Sequence, residues 1–135
     1  MESVIEKWSG RVLETVIGAD DKSGGTRGFV VRVGGETTLP FLNSEGDMPN
    51  APVVALEVWD TIPEDWPQPL KEPFSTCLND PIAWAKKSVG EFGADLICLK
   101  LMSTHPDRQN RSPQEAAQML KSVLGAVKVP LIVVG

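Results

Sequence analysis

The sequence predicts an α/β fold in which a β-hairpin precedes a β-α-β-α-β unit with parallel strands. Three observations predict it. Two β-rich runs flank a glycine-containing turn, three continuous apolar runs alternate with helical patterns, and both helical patterns begin with a recognisable cap. The strands of such a unit are buried, and function is expected at the edge of the sheet where their carboxyl ends meet.

Length and composition place the chain among globular proteins and exclude several function classes. Its 135 residues fit one ordinary domain, and 41% of them are hydrophobic. A net charge of −5 and a pI near 4.8 argue against nucleic-acid or anionic-membrane partners. No apolar run approaches the roughly 20 residues of a membrane span, and the first ten residues lack a signal-peptide pattern. A cytoplasmic protein is expected.

The cysteines are too few for a metal centre or a disulfide framework. Cys77 and Cys98 are the two thiols, and no CxxC motif occurs. This chain's cysteines alone therefore complete neither a zinc site nor an iron–sulfur cluster. Both cysteines are expected to be reduced thiols.

Residues 1–50 are predicted to hold the hairpin and an irregular segment. "RVLETVIGA" and "TRGFVVRVG" flank the turn "DDKSGG" within residues 11–33. In the stretch that follows, glycines and prolines interrupt any regular spacing of hydrophobic residues, so no helix or strand is expected there.

Residues 51–135 are predicted to hold the three parallel strands and two helices. The strands are expected at 52–59, 94–102 and 129–135. Asp80 and Pro81 begin the first helix, which Gly93 ends. Ser112 and Glu115 form a capping box that begins the second helix. The third strand would leave an unpaired apolar edge, so the chain is either a small open domain that dimerises or, as we favour, the front portion of a larger fold.

Two long βα segments point to the carboxyl edge of the sheet as the functional face. One is "DTIPEDWPQPLKEPFSTCLNDP" (60–81), with five prolines, and the other is "STHPDRQNRS" (103–112). Their candidate polar binding residues are Asp60, Ser103, Thr104 and the single histidine, His105. Trp66 and Phe74 would either anchor the proline-rich segment by packing or contact a partner.

Strand alternation predicts one further polar pair. Val54, Leu56 and Val58 share the face that suits helices, whereas Glu57 and Lys100 share the other face of neighbouring strands. Because an unpaired buried charge is costly, we expect these two to form an ion pair or a shared polar network inside the concave face of the sheet, and Lys100→Met to disrupt folding or binding. The pair either organises the core or takes part in binding or proton transfer. No catalytic triad and no metal-binding spacing are found.

Long strings of the sequence carry a family resemblance. "GGETTLPF", "PEDWP", "GADLICLKL" and "SPQEAAQMLKSVLGAVKVPLIVVG" resemble the small (delta) subunit of the corrinoid/iron–sulfur protein of acetyl-CoA decarbonylase/synthase complexes. The resemblance implies a TIM (β/α)8 barrel, of which this chain supplies the N-terminal hairpin, the first three strands and two helices. A full barrel needs about 250 residues.

The resemblance also implies cofactor, partners and role. It implies a corrinoid that is bound between this subunit and a large subunit holding an iron–sulfur cluster. This corrinoid carries a methyl group from methyl-tetrahydropterin, through a methyltransferase, to acetyl-CoA synthase of the CO dehydrogenase/acetyl-CoA synthase complex in the reductive acetyl-CoA (Wood–Ljungdahl) pathway. The implied role is scaffold and corrinoid cover without catalysis. Two alternatives stay open: a pterin-binding methyltransferase-like barrel, and a small α/β interaction domain.

Overall fold

The computed structural model describes residue 5 and residues 8–42 and 45–135. It contains a two-stranded antiparallel sheet and a three-stranded parallel sheet, with strand order β3-β4-β5 in the latter. The strands are β1 Thr15–Ile17, β2 Val31–Val33, β3 Ala55–Trp59, β4 Leu96–Lys100 and β5 Leu131–Val134. The helices are α1 Gln68–Lys71, α2 Pro81–Gly90 and α3 Pro113–Ala126. Short 3-10 turns lie at Asp21–Ser23, Pro40–Leu42, Glu72–Phe74 and Met102–Thr104.

The predicted hairpin is confirmed, with shorter strands than the β-rich runs suggested. Thr15 pairs with Val33 and Ile17 with Val31 in antiparallel register. Between the strands, the Asp20 carboxylate accepts a hydrogen bond from the Ser23 amide at 3.0 Å and begins a 3-10 turn. The antiparallel ladder itself comprises three residue pairs.

The predicted parallel sheet is also confirmed, and its helix-facing side forms the core. Val58, Ile97 and Leu99 are fully buried and belong to one cluster with Trp84 of α2 and Val123 of α3. The alternation predicted from sequence therefore assigns the core face correctly within the strands. Val54 was expected on this face as well, but it precedes β3 and is 58% exposed.

Both predicted helix starts are formed by side-chain caps. Asp80 Oδ1 accepts hydrogen bonds from the amides of Ile82 and Ala83 at 3.0 and 3.1 Å. Ser112 and Glu115 form the complete capping box, and its hydrogen bonds lower the pKa of the Glu115 carboxyl. Helix α2 ends at Gly90, earlier than the expected stop at Gly93, which then turns the chain toward β4 with a φ of 65°.

A buried arginine fastens the hairpin to the parallel sheet and α3. The Arg27 guanidinium donates hydrogen bonds to the main-chain oxygens of Leu124, Val127 and Val129 at 2.8, 2.9 and 3.4 Å. Carbonyls at a helix carboxyl end lack intrahelical partners and carry partial negative charge, so a cation satisfies them well. The amide of Gly28 adds a hydrogen bond to the Lys128 oxygen at 2.8 Å. The hairpin is thereby held at the junction of α3 and β5.

Across the described ranges, none of the helices combines the length and apolar character needed to span a membrane.

Candidate functional site

The carboxyl ends of β3 and β4 bring the two long βα segments into direct contact. Asp60 follows β3, and its amide donates to the Lys100 oxygen at 3.1 Å, which continues the strand pairing by one residue. Ser103 lies in the 3-10 turn after β4. Its amide donates to Asp60 Oδ1 at 3.0 Å, and its hydroxyl donates to Asp60 Oδ2.

This Asp60–Ser103 clamp is buried, since Asp60 is 8% and Ser103 1% exposed. Both carboxylate oxygens of Asp60 already accept hydrogen bonds, so the pair is suited to holding the two segments together. Sequence reasoning placed both residues at strand ends but missed the contact between them. The signal was available, because neighbouring parallel strands end at the same edge.

Thr104 and His105 lie beside an apolar cavity of about 290 Å³ at the ends of β4 and β5. The Thr104 hydroxyl donates to the Leu101 oxygen at 2.7 Å. The His105 side chain is 58% exposed, and its Nδ1 accepts from the Asp107 amide at 3.2 Å and lies 3.9 Å from Asp107 Oδ2. Met102 and Val134 supply apolar wall. Thr104 and His105 are thus placed where they can contact a ligand.

A second cavity of about 350 Å³ opens between the proline-rich segment and the loop after β4. Its polar lining consists of Asp60, Thr61, Glu64, Asn79, Arg108 and Gln109. Ile62, Leu78 and Pro81 supply the apolar part. Sequence reasoning singled out only Asp60 of this set. The rest could not be predicted, because the sequence of a long βα segment does not reveal which of its residues fold back over the strand end.

Glu57 and Lys100 do meet across the sheet, and Trp59 joins them. Lys100 Nζ lies 3.8 Å from Glu57 Oε1, and the Trp59 indole N–H donates to the same oxygen. Lys100 Nζ also lies 4.9 Å from the centre of a Trp59 ring, a cation–π contact. The side chains of the pair are 33% (Lys100) and 39% (Glu57) exposed, because α2 and α3 both cover the opposite face. The predicted ion pair is therefore formed, and in this chain both of its side chains are partly exposed.

Cys98 lies between these charges on β4. Burial raises the pKa of its thiol, and the negative charge of Glu57 raises it further. Burial likewise raises the pKa of the Cys77 thiol in the proline-rich segment. Within the described ranges, no group of three or more histidine, cysteine or acidic side chains is arranged to hold a metal ion.

Trp66 and Phe74 pack inward as anchors of the proline-rich segment. The Trp66 ring lies edge-on to Trp59 and to Trp84, with centroids 5.6 Å apart in each case. Phe74 lies 5.5 Å from Trp84 and 5.1 Å from Phe92. Both side chains are half-buried. The geometry favours packing as their main role.

These features define the class of protein: an α/β chain with a parallel sheet whose carboxyl edge carries two clamped βα segments and two cavities. A family model described as the CO dehydrogenase/acetyl-CoA synthase delta subunit matches residues 14–135. The chain belongs to this family.

Curated relatives agree with that assignment. The chain is 39% identical to the acetyl-CoA decarbonylase/synthase complex subunit delta of Methanocaldococcus jannaschii, covering 99% of this chain and 32% of the relative. It is 38% identical to that of Archaeoglobus fulgidus, over 96% of this chain and 28% of the relative. It is 40% identical to that of Methanopyrus kandleri, over 93% and 31%. The chain spans about a third of the length of these relatives.

Proposed function

We propose that this chain covers and positions a corrinoid within the methyl carrier of an acetyl-CoA decarbonylase/synthase complex. In that role it serves the transfer of a methyl group from methyl-tetrahydropterin to acetyl-CoA synthase in the reductive acetyl-CoA pathway. Family membership supports the proposal. The observation that carries it is the carboxyl edge of the sheet, where two cavities flank a rigid clamp between two long segments.

The proposed architecture is the beginning of a TIM (β/α)8 barrel over residues 51–135, preceded by the hairpin segment of residues 1–50. Parallel strands in the order β3-β4-β5, with α2 and α3 packed on one face, suit the first three strands and two outer helices of such a barrel. Barrel enzymes keep their ligand sites at the carboxyl face, which is the edge described above.

The residues present fit the edge of a corrinoid. Pockets that enclose drug-sized ligands measure about 300–1,000 Å³. The two cavities here, of about 290 and 350 Å³, lie near the low end of that range. Because a corrinoid is larger than such ligands, each cavity suits a part of it and not the whole. Thr104, His105 and Arg108 offer polar groups at this edge, and Met102 offers apolar surface. When bound, the corrinoid supplies the cobalt that holds the methyl group.

The side chains of this chain would bind, orient and exclude water. Asp60 and Ser103 are hydrogen-bonded to one another and would hold the two βα segments in place. Thr104 and His105 would contact the cofactor. A closed apolar enclosure protects a reactive metal centre from side reactions with water. No residue is assigned a catalytic role.

The remaining enclosure would come from partners. We propose the large corrinoid/iron–sulfur subunit as the direct partner, with the methyltransferase and the acetyl-CoA synthase/CO dehydrogenase component docking to the assembled carrier. Ile62 and Leu70 of the proline-rich segment are 51% and 53% exposed, and the outer surfaces of Trp66 and Phe74 lie in the same segment. This segment is our candidate for partner contact.

Co-purification tests the proposal. The tagged chain is co-expressed with a large corrinoid/iron–sulfur subunit in a corrinoid-producing host and purified by size exclusion. Co-elution with corrinoid absorbance is expected, and Ile62→Asp should abolish it. Lys22→Ala, a change at an exposed residue of the hairpin turn, is the matched control and should leave it intact. Colourless chain eluting apart from the large subunit would refute the proposal.

A further inference from the structure

The polar cavity between the two βα segments has features of a specific ligand site. Its wall carries two carboxylates, Asp60 and Glu64, and one guanidinium, Arg108, so the charge of the lining is negative. In the part of the chain that the structure describes, Arg108 makes no ion pair with any side chain, and its guanidinium carbon lies 6.0 Å from the centre of a Trp59 ring. The negative balance disfavours an anionic ligand, and a guanidinium that has no carboxylate partner favours a ligand that offers a carbonyl oxygen.

Thr61 adds an independent observation. It lines this cavity, and its hydroxyl oxygen is buried without a hydrogen-bond partner. Buried hydroxyls are nearly always paired, and an unpaired one gains from any partner that reaches it. Rotation about the Cα–Cβ bond moves the hydroxyl among three staggered positions, so a group entering the cavity can pair with it.

The remaining polar residues of the lining offer both hydrogen-bond donors and hydrogen-bond acceptors. Asn79 and Gln109 each present an amide with one acceptor and two donors, and Glu64 presents only acceptors. A primary carboxamide matches this set, because its oxygen accepts from Arg108 and its N–H groups donate to Glu64. Ile62, Leu78 and Pro81 offer apolar surface to the carbon chain behind such a group.

We propose that this cavity is a binding site for a primary carboxamide, either a small neutral amide or an amide arm of a larger ligand. This inference rests on the residues that line the cavity and does not depend on corrinoid binding.

The test is a titration of the isotope-labelled chain with propionamide, followed by amide chemical shifts in two-dimensional NMR spectra. Saturable shifts are expected at residues 61, 79, 108 and 109. Propionate, the anion of nearly the same shape, should shift them far less. Thr61→Val keeps the shape and removes the hydroxyl, so it should weaken propionamide binding roughly fivefold to tenfold. Arg108→Gln, at an exposed position, should weaken it as well.

Thr15→Val, the same substitution at an exposed residue of β1, is the matched control and should bind propionamide as the unaltered chain does. Propionate binding as tightly as propionamide, or full propionamide affinity in Thr61→Val, would overturn the inference. Competition by dicyanocobinamide, a corrinoid with amide arms, would assign the site to the corrinoid, and its absence would assign it to a separate small amide. Failure of propionamide to bind would end this inference but leave co-purification with the large subunit untouched.

Discussion

Removing the Asp60 carboxylate tests the clamp that joins the two βα segments. In Asp60→Ala, the Ser103 amide and hydroxyl both lose their acceptor. Ser103 is 1% exposed, so water does not replace the lost partner without opening the structure. Each hydrogen bond to a charged acceptor contributes about 1.5–3 kcal/mol, so losing both should lower the free energy of unfolding by about 3–6 kcal/mol. That is a large share of the roughly 5–15 kcal/mol typical of a domain.

The assay is urea unfolding of the 135-residue chain followed by far-ultraviolet circular dichroism. Ser103→Ala removes one of the two donors and should cost about 1.5–3 kcal/mol. The double variant should cost less than the sum of the single ones by at least about 1 kcal/mol, because the same contact is removed twice. Asp65→Ala, an exposed residue of the same segment, is the control and should stay within about 0.5 kcal/mol. A cost below about 1 kcal/mol for Asp60→Ala, or simple additivity, would refute the reasoning.

Three further changes test other features of the fold. Arg27→Met should destabilise the chain by about 3–5 kcal/mol in the same urea assay, because three main-chain oxygens lose a buried cation; a negligible effect would contradict this docking role. Lys100→Met should cost no more than about 1 kcal/mol, since its ion pair with Glu57 is a third exposed; a larger loss would restore the buried pair predicted from sequence. Cys77 and Cys98 should react with iodoacetamide more slowly than free cysteine at pH 7.5 and faster as the pH rises, because their raised pKa values keep both thiols protonated. Mass spectrometry measures the extent of alkylation. A fast reaction at neutral pH would contradict this expectation.

Local signals in the sequence predicted most of the parallel unit. The caps at Asp80 and Ser112 depend on side chains two or three residues from the groups they bind, so the sequence contains the whole interaction. Strand burial followed from two-residue alternation. The short helix α1 and the adjoining 3-10 turn were not predicted, because proline is unfavourable inside a helix. Pro69 and Pro73 occupy first-turn positions, where a missing N–H costs nothing.

Contacts between distant parts of the chain were the ones that could not be predicted. Arg27 binds oxygens about 100 residues away, and nothing in its local sequence indicates a helix end as its partner. The Asp60–Ser103 clamp spans 43 residues and needs the strand order to be known first. The Glu57–Lys100 pair was predicted from alternation, but its exposure depends on what covers the sheet, which alternation does not reveal.

The aromatic side chains beneath the proline-rich segment give the protein a built-in optical reporter. Trp59, Trp66 and Trp84 form a continuous row with neighbouring centroids 5.6 Å apart, and Trp59 lies next to the carboxyl edge of the sheet. Indole transitions at such separations couple, so near-ultraviolet dichroism depends on their mutual angles. A visible-absorbing ligand held at that edge would also accept excitation energy from this row. The state of the segment and the arrival of a chromophore are therefore both readable without any attached label.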